Sequence, residues 1–184
     1  MRKLSAPTHD TATVFQRCVN SIGSEDLRTR LSCIKTDITS FGLDYKHKGE
    51  SSKLFELTKF EGTNNDCVLG EVTKKELKDL YDYQMVPPTK PGRKVYDELK
   101  NKATFNICPY CGFGHVTTLD HYLPKAKFPT FSVLPLNLVP SCSDCNKRKT
   151  TIVAKDSGSQ SIHPYFDHIL CQSDQWLFAA LDHT

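Results

Sequence analysis

The chain has 184 residues, 38% apolar and 24% charged, with a formal net charge of +3. That is room for one ordinary globular domain, or for a compact core with a helical extension. No run approaches the roughly 20 apolar residues of a bilayer span, and residues 1–10 (MRKLSAPTHD) lack the apolar stretch of a secretory signal, so the sequence predicts no membrane partner and a cytoplasmic location.

Residues 1–85 read as mostly helical. Val14, Cys18 and Ile22 recur at four-residue steps beside Phe15 and Val19. Leu27, Leu31, Ile34, Ile38 and Phe41 then alternate gaps of four and three, as one helix face requires. Leu54, Leu57 and Phe60 hint at a short helix inside the ambiguous stretch 42–70. Thr73 and Glu76 form a capping-box pattern ahead of Leu77 and Leu80, so a further helix starts there. With no catalytic pattern, this region is either a scaffold for the rest or a docking surface for a partner. Residues 86–92 (VPPTKPG) should end it as a semi-rigid linker, with a helix resuming through Val95, Tyr96 and Leu99 up to residue 103.

Residues 104–155 form the predicted core. They carry six Lys and Arg against two Asp and Glu, the densest positive excess of the chain, which suits a polyanionic ligand. Two Cys-x-x-Cys pairs, Cys108/Cys111 and Cys142/Cys145, flank an insert of residues 112–141. Two such pairs turn four sulfurs toward one point and suit a structural, tetrahedral Zn²⁺. Gly112 and Gly114 supply backbone freedom after the first pair. Ser141 is the expected N-cap of a helix starting near Cys142, with Asp144 completing a capping box. The scattered Cys18, Cys33, Cys67 and Cys171 read as small buried hydrophobes. A closed cage holds the fold and performs no chemistry itself.

Chemistry lies between the pairs. A strand-like segment, 116–124, contains Asp120 and His121; a second, 131–139, contains Asn137; the capped helix carries Asn146, Lys147, Arg148 and Lys149. Phosphodiester hydrolysis needs an activated water, a cation on the phosphate and cationic groups that hold the polyanion. Asp120 and Asn146 offer hard oxygen ligands for Mg²⁺ or Mn²⁺. His121, ordinarily titrating near 6.5, can take a proton from water, so activity is expected to fall as pH drops through that value. Asp120 and His121 are neighbours and point to opposite faces of an ideal strand, so the backbone must depart from ideality for both to serve one site. Asn137 is the candidate for fixing that departure, and Lys147, Arg148 and Lys149 are the candidate nucleic-acid contacts.

Cys-Pro-Tyr-Cys, Leu-Asp-His, and Asn-Leu-Val-Pro-Ser-Cys-x-x-Cys-Asn-Lys, in that order over about fifty residues, closely resemble the zinc-containing HNH (ββα-metal) endonucleases. The resemblance implies an α+β fold, with the mainly helical N-terminal region followed by a ββα-metal core that the four-cysteine zinc staples. It implies that Asp120 and Asn146 bind the catalytic cation, that His121 is the general base, and that Asn137 is the middle Asn of the motif. Asp120 stands where the first His of the family name would be. More narrowly, MRKL, the run Leu-Asp-His-Tyr-Leu-Pro-Lys and the run His163-Pro-Tyr-Phe-Asp167 resemble PtuB, the HNH subunit of Septu-type and retron-associated antiphage systems. That implies an ABC/SMC-type ATPase partner like PtuA, and DNA or RNA as substrate. His163 and Tyr165 stand either near the active site or as structural side chains, in a C-terminal segment, 156–184, expected to pack on the core. The alternative is a zinc module that binds nucleic acid or a partner without cutting. It would need the cysteines but not Asp120, His121 and Asn146. Deaminase-type zinc chemistry needs an open zinc site and a Glu after a ligand His, whereas Tyr122 follows His121.

Overall fold

The computed structural model describes residues 4–149 and 153–167; the expectations for the opening residues 1–3, for Cys171 and for the C-terminal end beyond residue 167 lie outside them. The described residues form an α+β fold of six α-helices and two two-stranded antiparallel sheets. Among them no helix is long and apolar enough to cross a membrane.

Asp10 caps α1 (Thr11–Asn20), accepting the Thr13 N–H at 2.8 Å, and Val14, Phe15, Cys18 and Val19 share its buried face. The second apolar stripe belongs to two helices rather than one. α2 (Glu25–Cys33) stops and α3 (Lys35–Glu50) starts at Ile34, whose φ of −90° and ψ of 5° leave the helical backbone. Leu31, Ile34 and Ile38 all stay buried across the break, so their spacing hides it. Phe41 is 37% exposed, and only a short 3₁₀ turn, Leu54–Glu56, follows α3. Of the scattered cysteines in the described residues, Cys18 is buried, but Cys33 and Cys67 are exposed and do not serve as core.

After the hairpin of β1 (Cys67–Leu69) and β2 (Val72–Thr73), Thr73 caps α4 (Lys74–Asp79). The Glu76 N–H donates to Thr73 Oγ1 at 3.3 Å, and the Thr73 N–H donates to Glu76 Oε2 at 2.8 Å. Arg30 of α2 donates to both Glu76 oxygens at 3.1 and 2.7 Å, tying the two helices together. The Arg30 guanidinium holds the Glu76 carboxyl down at about 2, against an ordinary 4.5. A depressed carboxyl contributes stability that is complete above its unfolded value and is lost as pH falls from there toward about 2. Glu76→Gln should therefore cost about 1–2 kcal/mol at neutral pH. It should also flatten the acid limb of a Tm–pH curve; a limb identical to wild type would remove this pair as its cause.

A π-helical turn, Leu80–Met85, continues α4. The proline-rich stretch then folds back instead of extending: a Cβ at Gly92 would stand 2.4 Å from the Gln84 carbonyl oxygen, so only glycine allows this approach. α5 (Arg93–Lys100) buries Val95, Tyr96 and Leu99. β3 (Thr118–His121) pairs antiparallel with β4 (Leu138–Ser141), Asp120 opposite Val139 and His121 opposite Leu138, and α6 (Ser143–Lys149) follows. The second strand thus starts seven residues later than the apolar run 131–139 suggests. Pro129 and Pro135 each open a 3₁₀ turn there, because a fixed φ and a missing N–H suit a turn better than a ladder.

Two large apolar clusters hold the elements together, and both cross from the helical region into 104–155. In the first, Val14, Phe15, Leu31, Leu80 and Met85 pack with Leu119, Val133 and Leu138. In the second, Tyr45, Leu54 and Leu57 pack with Tyr122, Phe128 and Phe131. Of the C-terminal segment, His163, Pro164 and Tyr165 are buried on the second cluster's side, and the Leu4 N–H donates to the Pro164 carbonyl at 3.0 Å.

Candidate active site

The four sulfurs of Cys108, Cys111, Cys142 and Cys145 lie within 4.8 Å of one another. A tetrahedral zinc with Zn–S near 2.3 Å needs sulfurs about 3.8 Å apart, so this donor set fits a structural Zn²⁺. The Cys111 and Cys142 sulfurs already stand at 3.9 Å. Gly112 adopts φ +77°, the left-handed turn of the knuckle. Gly114 serves differently: a Cβ there would meet Cys142 Cβ and Sγ at 3.1 Å. Burial alone would raise the Cys111 thiol, but backbone N–H groups of Phe113 and Gly114 outweigh it and bring it to about 7, which favours the metal-binding thiolate. Ser141 does not cap α6; its hydroxyl donates to the Cys142 carbonyl at 3.0 Å. The helix begins at Ser143, and Cys142 Sγ itself accepts the Cys145 N–H at 3.5 Å.

The cage ties α6 to the strand pair. Asp120 is 4% exposed, and its Oδ2 accepts from Tyr110 Oη at 2.9 Å and from Lys149 Nζ at 2.7 Å. Burial pushes the Asp120 carboxyl up and the Lys149 ammonium down, while their mutual attraction opposes both shifts. Lys149 also sits over the Tyr122 ring at 4.5 Å. It therefore does not join Lys147 and Arg148 on the exposed side of α6, since a buried carboxylate needs a cationic partner and Lys149 is in reach. Asp120 Oδ1 has no hydrogen bond among the described residues. The Asn146 side chain, one turn before Lys149, likewise makes no hydrogen bond among them. Both are hard oxygen donors, the type that suits Mg²⁺ or Mn²⁺.

His121 turns the other way. Its ring stands edge-on to Tyr81 with centroids 4.4 Å apart, and Nε2 lies 2.8 Å from the Ser132 carbonyl oxygen. A carbonyl only accepts, so Nε2 carries the proton and Nδ1 keeps its lone pair. Nδ1 makes no hydrogen bond among the described residues. Burial pushes the ring down to about 3, so it stays neutral well below the ordinary histidine range. Asn137 is fully buried and clamps the chain that follows His121. Its Oδ1 accepts the Leu123 N–H at 2.7 Å, its Nδ2 donates to the Leu123 and Phe131 carbonyls at 3.0 and 3.2 Å, and its own carbonyl accepts the Tyr122 N–H at 2.8 Å.

The structure thus brings together the four cysteines, joins Asp120 to Lys149, and joins Asn137 to the turn after His121. It makes no direct hydrogen bond between the Asp120 and His121 side chains. Tyr110, Tyr81 and Ser132, all in contact with these residues, carry no pattern in the sequence that marks them.

Residues 108–151 match the family model of the HNH endonucleases. This segment is HNH-like. The match begins at the first cage cysteine and runs through β3, β4 and α6, so it covers every candidate site residue. Over 182 residues the chain is also 31% identical to Protein ea31 of Escherichia phage lambda, an alignment covering 97% of this chain and 61% of that relative. The chain therefore spans about three fifths of the relative's length. The likeness extends through the helical region as well as the HNH-like segment. No solved structure matches the chain.

Proposed function

We propose that the chain is a metal-dependent endonuclease that hydrolyses phosphodiester bonds of nucleic acid. The observation that carries this reading is His121. One nitrogen is fixed as a donor by the Ser132 carbonyl, which leaves the other with its lone pair and no hydrogen bond among the described residues, and the ring lies inside the HNH-like segment. In the reaction, His121 Nδ1 takes a proton from water; the water oxygen bonds to phosphorus as the ester P–O bond breaks, and the leaving alkoxide takes a proton from solvent water. Asp120 and Asn146 would hold the cation, Asp120 through Oδ1, which makes no hydrogen bond among the described residues. Bound Mg²⁺ or Mn²⁺ would neutralise charge on the phosphate and the leaving oxygen. Asn137 holds the turn, and the zinc cage holds α6 against the strands.

We further propose a PtuB-like place for the chain: the nuclease subunit of an antiphage complex, with a PtuA-like ATPase docking on the helices of residues 1–85. The motif runs 119–125 and 163–167 support this, and the reduced thiol cage suits a cytoplasmic setting. One contact favours a second reading, a zinc module that binds nucleic acid without cutting: Lys149 Nζ already neutralises Asp120. The deciding experiment incubates the purified chain, alone and with the ATPase, with plasmid, single-stranded DNA and total RNA. Cleavage that requires added Mg²⁺ or Mn²⁺ while about one zinc per chain remains bound is expected; binding without cleavage under every condition would establish the module instead.

Lys147 and Arg148 are exposed on α6 and are the proposed phosphate contacts. Replacing both by Ala should lower the slope of log K against log salt by up to about 2, with Tm unchanged. Lys149→Ala should act on stability instead, because it leaves Asp120 buried and unpaired, a loss of about 3–5 kcal/mol. Salt titrations and melts of the two variants check both; an unaltered slope in the double variant moves the binding surface off α6.

A further inference from the structure

We infer that Tyr45 and His163 are positioning residues for His121, acting through a buried, one-directional hydrogen-bond chain that ends on the turn holding the general base. The inference rests on the nuclease reading but concerns residues outside the HNH-like segment, one on α3 and one in the C-terminal segment.

The proton positions follow from groups that can act in only one sense. The Tyr165 backbone N–H can only donate, and it lies 3.2 Å from His163 Nδ1, so that nitrogen accepts. His163 is 1% exposed, and burial holds its pKa well below the ordinary histidine value, so the ring is neutral and Nε2 carries the single proton. Nε2 faces Tyr45 Oη at 3.2 Å, and its proton is shared between that oxygen and the Leu136 backbone carbonyl, which also bonds the ring. The Asn137 amide is oriented without ambiguity, since its Oδ1 receives the Leu123 N–H and its Nδ2 donates to the Leu123 and Phe131 carbonyls. Tyr45 Oη, 3.1 Å from Oδ1, must therefore donate to it. The chain runs from His163 to Tyr45 to Asn137.

Its end lies on the parts that set His121. Leu123 is two residues beyond His121. Phe131 immediately precedes Ser132, whose carbonyl accepts the His121 Nε2–H at 2.8 Å. The Tyr45 ring also stands edge-on to Phe131, centroids 5.1 Å apart. Tyr45 is fully buried, so loss of its hydroxyl would leave the His163 Nε2–H and an Asn137 lone pair without this partner. Loosening Asn137 lets the Ser132 carbonyl and the ring of His121 drift together, and a misplacement of about 1 Å in a reacting group can cost 10²-fold in rate.

The test uses Tyr45→Phe, which keeps the ring, with His163→Leu and His163→Gln as companions. Expected for Tyr45→Phe are a fall in kcat of about 10- to 100-fold with KM within about twofold, and unchanged zinc content. In the nucleic-acid-free protein, ¹⁵N spectra of the His121 ring should change from one Nε2–H tautomer toward an average of two. His163→Leu should act alike, and His163→Gln, whose amide can donate to Tyr45, should recover part of the loss. Wild-type kcat and a wild-type His121 spectrum in Tyr45→Phe, whatever its Tm, would overturn the inference. If Tyr45→Phe does not fold, the same two readings on His163→Leu and His163→Gln decide. If the wild type cuts no nucleic acid, the nuclease reading fails, while the ring spectra still show whether the chain sets His121.

Discussion

His121→Ala should lower cleavage by about 10²–10⁴-fold, the range for a positioned general base, with zinc content and substrate affinity unchanged. The ring touches Tyr81 and the Ser132 carbonyl, so its removal also leaves one acceptor unpaired and should lower stability by about 1–3 kcal/mol. That loss is too small to unfold a domain stable by about 5–15 kcal/mol, so activity and folding separate cleanly. The wild-type pH profile differs from the one a solvated histidine would give. Burial brings the ring to about 3, and a lowered pKa keeps the imidazole unprotonated as pH falls. Single-turnover rates should therefore show no histidine-like loss near 6.5. Full activity of His121→Ala, on protein free of host nucleases, would falsify the mechanism.

What was legible in the chain was local. The four-cysteine cage follows from two short spacings, and the Thr73–Glu76 cap from residues three apart. The strand at Asp120 follows from a pattern equally short, and the α+β class from the resemblance that the cysteine and Asp-His motifs carry. The break at Ile34 was hidden because both helices bury the same face. The second strand was misplaced because Phe131, Val133 and Leu134 are buried and apolar while lying in turns, so burial imitated a strand. Lys149 read as one member of a solvated basic run, since nothing nearby in sequence announces the buried carboxylate 29 residues earlier. His163 stood out in the sequence as either a site or a structural side chain, but its route to Asn137 did not: Tyr45 meets Asn137 across 92 residues, and His163 meets Tyr45 across 118.

Deleting residues 1–85 should abolish the folded state of the remainder. Among the described residues, half of the buried apolar side chains precede Val86. They are the partners of Leu119, Leu138, Tyr122 and Phe131, which frame the site. Emptying a single large core position costs about 2–5 kcal/mol, so removing many together exceeds the stability of a domain several-fold. Tyr81, the ring against His121, leaves with the deleted part, and so does its hydroxyl, which donates to the Leu119 carbonyl at 3.3 Å. Zinc affinity should persist in the fragment, because the four cysteines are local, but without a cooperative transition. Near-UV circular dichroism and calorimetry of residues 86–184, with zinc measured alongside, check this. A fragment that melts cooperatively and cuts nucleic acid would mean that the helices serve only assembly and that the shared core is dispensable.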